Sequence, residues 1–304
     1  LASAALLARK FGVCNESIYF ADYSYQLLSF VFEMLRNGNC KAVFVTDLSV
    51  NESRGNAWLK VLSLLRRKGA KIFWIDHHPW PENAKAVANL CDMAEYGENK
   101  KYCTTEIIAK LFKLKDPYAS RLERIVHASD FALKPASMAE SKIQRSYDLA
   151  IAYANTLPIA KQQKLLRNMA RLISEGKLEN KRISMLAQRF ERQSEKEVAK
   201  ALEKNYEIEG IAVAFSGNKV LQDDLLAKLF DKSHKDIVML VNLDKRKASI
   251  RSKTKDISKL AALLGGGGHP HAAGFPIKNA YDLKTEKGRQ SFLKLLAKKA
   301  KMLN

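Results

Sequence analysis

The chain has 304 residues, 47% of them hydrophobic, enough for two domains of ordinary size with real cores. No apolar run approaches the roughly 18 residues needed to cross a bilayer, and nothing at the start pairs a charged stretch with an apolar one, so a cytoplasmic protein with no membrane partner is expected. The net charge of +20 is uneven: residues 1–150 carry +5, 151–200 carry +6, 201–250 carry none and 251–304 carry +9, a concentration that points to a polyanionic partner such as nucleic acid.

Leu1 to Lys10 is a strong helix pattern that begins without a cap or a preceding strand, so the chain starts inside an element. Ser17 to Ala21 reads as a strand, and Tyr25 to Arg36 as a helix closed by Asn37-Gly38. Lys41 to Thr46 is a buried strand ending on Asp47, Trp58 to Lys68 a helix, and Lys71 to Ile75 a second buried strand ending on Asp76-His77-His78. Strands and helices alternating at this spacing are βαβ units and imply a parallel sheet. Asp47 and Asp76 are each the first residue past the carboxyl end of a strand, where open α/β sheets bind ligands. Asp47 can equally cap the next helix. Asp76, His77 and His78 are harder to place in a closed core, because three polar residues after Ile-Phe-Trp-Ile need partners such as a metal or a phosphate.

A strand-like stretch comes next at Ala86 to Leu90, then a helix from Cys103 to Phe112 capped by Thr104 or Thr105, then a helix from Ala119 to Ala128 that delivers Asp130. His127 lies on the apolar side of that helix and reads as a satisfied core residue. Cys14, Cys40, Cys91 and Cys103 contain no C-x-x-C pair, which argues against a zinc ribbon or a disulfide framework and for buried thiols. Residues 134–206 are helical and basic, with no Gly/Ser tract, and read as a stiff link between a first domain (1–133) and a second (207–304).

The second domain runs strand Gly210 to Phe215, helix Leu221 to Phe230, strands Asp236 to Asn242 and Ala248 to Ser252, helix Ile257 to Leu264 with Asp256 as its cap, and a closing helix Gln290 to Met302. Its tail lysines 294, 298, 299 and 301 also read as a solvated helix face. Between the last two helices lies Gly265-Gly266-Gly267-Gly268-His269-Pro270-His271. Such a run can curl into a nest of inward-pointing N–H groups around an anion, with Arg251 and Ser252 close by in sequence to hold a second phosphate or a base edge.

In this order and spacing, Asp47, Asp76-His77-His78, Asp130, Arg251-Ser252 and the glycine-histidine run resemble the DHH phosphoesterase superfamily with its DHH-associated C-terminal domain. The nearest branches are RecJ-like exonucleases and NrnA-type nanoRNases. The resemblance implies a parallel-sheet DHH domain and a smaller α/β domain joined by a helical linker, with the active-site cleft between them. It also implies two divalent metals, usually Mn2+ with Mg2+ as the substitute: Asp47 bridging both, His77 and Asp130 completing one shell, His78 on the scissile phosphate, and Asp76 orienting the first histidine. Arg251, Ser252, Gly266, Gly267, Gly268 and His269 would hold the substrate. The implied reaction releases nucleotides from single-stranded DNA or RNA, from the 5′ end, with replication or repair proteins as partners. The alternatives are a nanoRNase that also acts on 3′-phosphoadenosine 5′-phosphate, a cyclic-dinucleotide phosphodiesterase, and a non-catalytic replisome scaffold that binds nucleic acid. The family's first motif, a histidine followed by Asp-x-Asp, is expected immediately before Leu1. Without it the sequence is expected to hold at most one metal well and to hydrolyse poorly.

Overall fold

Short apolar runs form the strands of two sheets, and amphipathic runs between them form the helices that cover those sheets. The computed structural model describes the chain apart from residues 22–24, 51–54, 98–100, 132, 279 and 302–304. Two units are formed, one by Leu1–Asp148 with Leu157–Ser184, the other by Leu149–Thr156 with Met185–Asn304.

The first unit contains α1 (Ala2–Phe11), α2 (Tyr25–Asn37), β1 (Ala42–Thr46), α3 (Gly55–Arg67), β2 (Lys71–Ile75), α4 (Lys85–Ala88), β3 (Met93–Glu95), α5 (Thr104–Leu111), α6 (Pro117–Asp130), the first part of α7 (Met138–Ala154), and α8 (Ile159–Ser174). The three strands are parallel, in the order β1-β2-β3. Period-two alternation sends Val43, Val45, Ile72 and Trp74 to one face, where they pack with Trp58, Leu62 and Leu65 of α3. Phe44 and Phe73 stack in register at 4.8 Å between ring centroids, and Phe11 and Phe112 close on Phe44.

Among the described residues, two expected strands are absent from this sheet. Ile18 to Ala21 pairs with no strand; the buried amide of Gln163 on α8 accepts from the Phe20 N–H and donates to the Phe20 carbonyl, and Arg167 donates to the Ile18 carbonyl. A side chain thus makes the bonds that a neighbouring strand would otherwise make. Residues 85–88 are the short helix α4, and the third strand comes later. Asp92 fixes its register, donating its N–H to the Ile72 carbonyl and accepting the Ile72 N–H on its carboxylate, each at 2.8 Å. The helix α5 is capped by Cys103, whose N–H donates to Glu106 at 2.8 Å, so Thr104 and Thr105 lie within its first turn. All four cysteines are free thiols; Cys103 is buried, Cys40 and Cys91 are half-buried, and Cys14, against expectation, is exposed.

The segment 134–206 is divided between the units: α8 belongs to the first and most of α9 (Lys181–Glu203) to the second. The second unit continues with β4 (Tyr206–Ile208), β5 (Ile211–Ser216), α10 (Gln222–Ser233), β6 (Ile237–Asn242), β7 (Lys247–Ser252), α11 (Ser258–Leu263), β8 (Gly267–His269), β9 (Ala272–Pro276) and α12 (Glu286–Ala300). The expected end of the last helix, Met302, lies outside the described residues. Its sheet has the order β4-β5-β6-β7-β9-β8, parallel only between β5 and β6. Ile211, Val213, Met239, Ile250 and Phe275 pack on Phe292, Leu293 and Leu296 of α12. The alternate residues Ala212, Ala214, Val238 and Leu240 pack on Leu225 and Leu229 of α10 and Val198 of α9. Among the described residues no helix is long and apolar enough to cross a membrane.

Candidate metal centre

Parallel pairing of β1 and β2 brings the two strand ends together: Asp47 donates its N–H to the Ile75 carbonyl at 3.1 Å, directly before Asp76-His77-His78. Asp47 has φ 55°, in the left-handed region. Aspartate is among the few residues that enter it routinely, and strain of this kind collects at functional sites. The turned backbone leaves the Asp47 carboxylate exposed, with Thr104 Oγ1 donating to Oδ1 at 3.0 Å and His77 Nε2 at 3.6 Å from the same oxygen.

Ligand atoms of Asp47, His77 and His78 all lie within 4.8 Å of one another. One carboxylate and two imidazoles are a donor set that fits a divalent transition ion, and outer partners fix the direction of two of the three donors. Thr104 fixes Asp47. His78 donates from Nδ1 to Asp76 Oδ1 at 2.7 Å, leaving Nε2 as the free ring nitrogen. Asp76 is only 1% exposed. Its carboxylate also accepts the His77 backbone N–H at 2.9 Å and the Trp80 indole N–H at 3.0 Å. The ring that Asp76 orients is therefore that of His78, whereas the family resemblance implied His77. The hydrogen bond that His78 donates to Asp76 raises the His78 pKa, against the opposing effect of burial.

Asp130 ends α6 and stands outside the tight triplet, yet within electrostatic reach of it. Surrounding protein raises its pKa, as does the Asp47 carboxylate, while His77 and His78 act in the opposite direction. Leu1, directly before α1, lies near both Asp47 and Asp130, so α1 begins at this edge of the sheet. His127 is satisfied as expected, its Nδ1 2.8 Å from Glu106, which also caps α5.

In the second unit the glycine run is an edge hairpin. Gly265 and Gly266 donate their N–H groups to the Ala262 and Ala261 carbonyls at the end of α11, and Gly267 to His269 form β8, so the expected nest is replaced by a strand paired to β9. Close approach explains two of the glycines: a Cβ on Gly266 would overlap the Gly274 carbonyl, and one on Gly268 would come within 2.5 Å of Ala273 Cα. Gly267 has open space around it, and the stretch from Gly267 to His271 is exposed. Arg251 and His269 are both register partners of Ala272, so the two side chains leave the same face of the sheet with only a methyl between them. Arg251 also meets Asp223 of α10 at 3.5 Å. Ser252 is buried, its hydroxyl donating to Asp236 at 3.1 Å and accepting from the Lys255 N–H at 2.8 Å, which ties the loop after β7 in place. On α9, Arg189, Arg192 and Lys196 form an exposed stripe at helical spacing, opposite the buried Phe190, Ser194 and Val198, and are ion-paired to none of the described residues.

Sequence reasoning missed Thr104 as the partner of Asp47 and Trp80 as the partner of Asp76. The Cys-x-x-Glu spacing of a capping box was the available signal for the first, since it sets Thr104 in the helix's first turn. No local pattern announces the second.

A parallel sheet with a carboxylate and an imidazole pair at its carboxyl edge, in a chain whose second, mixed sheet ends in a glycine-histidine hairpin, defines a class of two-domain α/β proteins built around a candidate metal centre. Residues 168–302 match the DHHA1 domain family. The second half of the chain thus carries a DHHA1 domain, with Asp76-His77-His78 ahead of it in sequence. Among solved structures it is similar to RecJ from Thermus thermophilus in complex with Mn2+ (13% identity, 97% of this chain and 59% of that one, TM-score 0.49). It is likewise similar to the pGpG-specific phosphodiesterase PggH from Vibrio cholerae (10%, 84% and 98%, 0.45) and to an exopolyphosphatase-related protein from Bacteroides fragilis (15%, 92% and 76%, 0.45). No curated protein matches the chain.

Proposed function

We propose that this protein is a divalent-metal-dependent phosphoesterase, and more specifically an exonuclease that releases nucleotides from single-stranded DNA or RNA, from the 5′ end. The observation that carries this reading is the convergence of Asp47, His77 and His78 within 4.8 Å at the carboxyl edge of a parallel sheet. Asp47, His77 and His78, with Asp130 alongside, would hold Mn2+ or Mg2+, and a bound ion of this kind lowers the pKa of water and stabilises charge on a phosphoryl group. Asp76 keeps the His78 ring in one orientation with Nε2 free. Thr104 holds the Asp47 carboxylate against rotation.

A polynucleotide is favoured over a mononucleotide by the cationic stripe Arg189, Arg192 and Lys196, because cations in a row bind successive phosphates. Arg251 and His269, on one face of the second sheet, are the groups proposed to meet the substrate there, with the exposed backbone of Gly267 between the more confined glycines.

The test is hydrolysis of end-labelled single-stranded DNA and RNA, from dinucleotides to long strands, with Mn2+ and with Asp47→Ala as control. Shortening from one end that the substitution abolishes supports the exonuclease. Cleavage confined to dinucleotides would replace it with a nanoRNase. Salt-sensitive strand binding without any cleavage would replace it with a binding scaffold.

A further inference from the structure

The strand pairing that builds the metal centre continues past β3. Asp76 donates its N–H to the Glu95 carbonyl at 2.8 Å, and Gly97 donates to the His78 carbonyl at 3.1 Å. Tyr96, between those two residues, is therefore held beside the Asp-His-His run, one strand spacing of about 4.8 Å away. Its ring lies flat on that of Trp80, with centroids 4.3 Å apart and planes 17° apart. Trp80 is fixed in turn by its N–H bond to Asp76 and by edge contact with Trp74, which packs on Trp58 in the core. Tyr96 ends this aromatic ladder at the surface, 37% exposed, with its inner face covered by Trp80.

From this geometry we infer that Tyr96 is a stacking platform for a nucleobase of the substrate, set next to the position of the scissile phosphate. The inference rests on the phosphoesterase reading of the Asp47, His77 and His78 site, and it sharpens the substrate class to phosphoesters that carry a base. A rigid, pre-oriented aromatic face loses little conformational freedom on binding and accepts any base, because every base has a π face. Its backbone runs one strand spacing from the Asp76-His77-His78 run, which sets the platform on the rim beside the proposed metal site. Inorganic polyphosphate would gain nothing from the platform. The partner of Trp80 is Asp76 itself, so the ring under Tyr96 and the imidazole of His78 are positioned by the same carboxylate.

The experiment compares wild type, Tyr96→Leu and Tyr96→Phe in the presence of Mn2+, on the dinucleotide pApA and on an abasic analogue with the same sugar-phosphate backbone. Tyr96→Leu should raise KM for pApA by about 5- to 100-fold, the range that base–aromatic stacking supports, with kcat held within about twofold and the abasic analogue unaffected. Tyr96→Phe should retain wild-type values. Equal losses on both substrates, or no loss on either, would overturn the platform. If wild type hydrolyses neither, the phosphoesterase reading fails, and the platform is judged by binding alone through quenching of tryptophan fluorescence. Tighter binding of AMP than of ribose 5-phosphate, lost in Tyr96→Leu, would support it, and equal or absent binding of the two would overturn it.

Discussion

The indole N–H of Trp80 donates to Asp76 Oδ2 at 3.0 Å, while the other oxygen of the same buried carboxylate accepts from His78. Removing that donor while keeping an aromatic ring isolates its contribution. Trp80→Phe leaves Oδ2 of a buried carboxylate short of a partner and should destabilise the fold by about 1–3 kcal/mol. It should also weaken metal binding or turnover by about 10- to 100-fold, the usual effect of loosening an outer partner of a metal ligand. Urea unfolding and Mn2+ titration measure the two effects separately.

The part of this centre that the sequence reveals is set by short-range rules. Apolar five-residue strands ending in a polar residue placed Asp47 and the Asp76-His77-His78 run at one sheet edge, and parallel pairing of β1 with β2 agrees with the intervening helix. The features that stay hidden depend on contacts remote along the chain. Gln163 takes the place of a neighbouring strand for Phe20 across a separation of 143 residues, and no local propensity encodes that. Asp76 was legible as a polar residue needing partners, whereas its choice of the His78 ring over the His77 ring depends on the turn after β2. The glycine run shows the same limit: its composition permits an anion nest or a tight hairpin, and the hairpin wins because β9 offers small residues, Ala272, Ala273 and Gly274, for it to pair with.

Gly268 and Gly267 should respond differently to alanine. A Cβ on Gly268, at φ 144°, meets Ala273 Cα at 2.5 Å, so Gly268→Ala should cost about 1–3 kcal/mol and detach the edge strand. Gly267 has nothing within 4 Å, so Gly267→Ala should unfold at the wild-type urea midpoint. Any loss of oligonucleotide affinity in Gly267→Ala would then report the approach of a ligand to the backbone.

Replacing Arg189, Arg192 and Lys196 together by alanine should leave stability unchanged, since the three form an exposed stripe. Each phosphate of a single strand that is deprived of its cation reduces the slope of log affinity against log salt by about 0.7, so the triple variant should lose roughly two units of slope. Fluorescence anisotropy of labelled oligonucleotides over a salt series makes the comparison. An unchanged slope would mean that strands bind elsewhere.

Acid stability carries a separate signature in the second unit. Glu286 accepts from the Gln290 amide and is paired with Lys204 and hydrogen-bonded by Tyr206, which together lower its carboxyl pKa from an ordinary 4.5 to about 2. A lowered carboxyl pKa stabilises the fold above the ordinary value, and that contribution fades as the pH falls from about 4.5 toward 2. The difference in urea midpoint between wild type and Glu286→Gln should therefore be largest at neutral pH and shrink across that window. Because the carboxylate is at the surface, added salt should reduce the difference as well.

The most direct test of the metal centre is binding of Mn2+ to wild type and to Asp47→Asn, monitored by electron paramagnetic resonance of the free ion. Asparagine tolerates the left-handed backbone at position 47, so the variant should keep the fold while losing the carboxylate. Wild type should take up Mn2+ and Asp47→Asn should bind it at least about 100-fold more weakly, in keeping with removal of a direct ligand rather than an outer partner. Equal uptake by the two proteins would contradict a centre built on Asp47, His77 and His78.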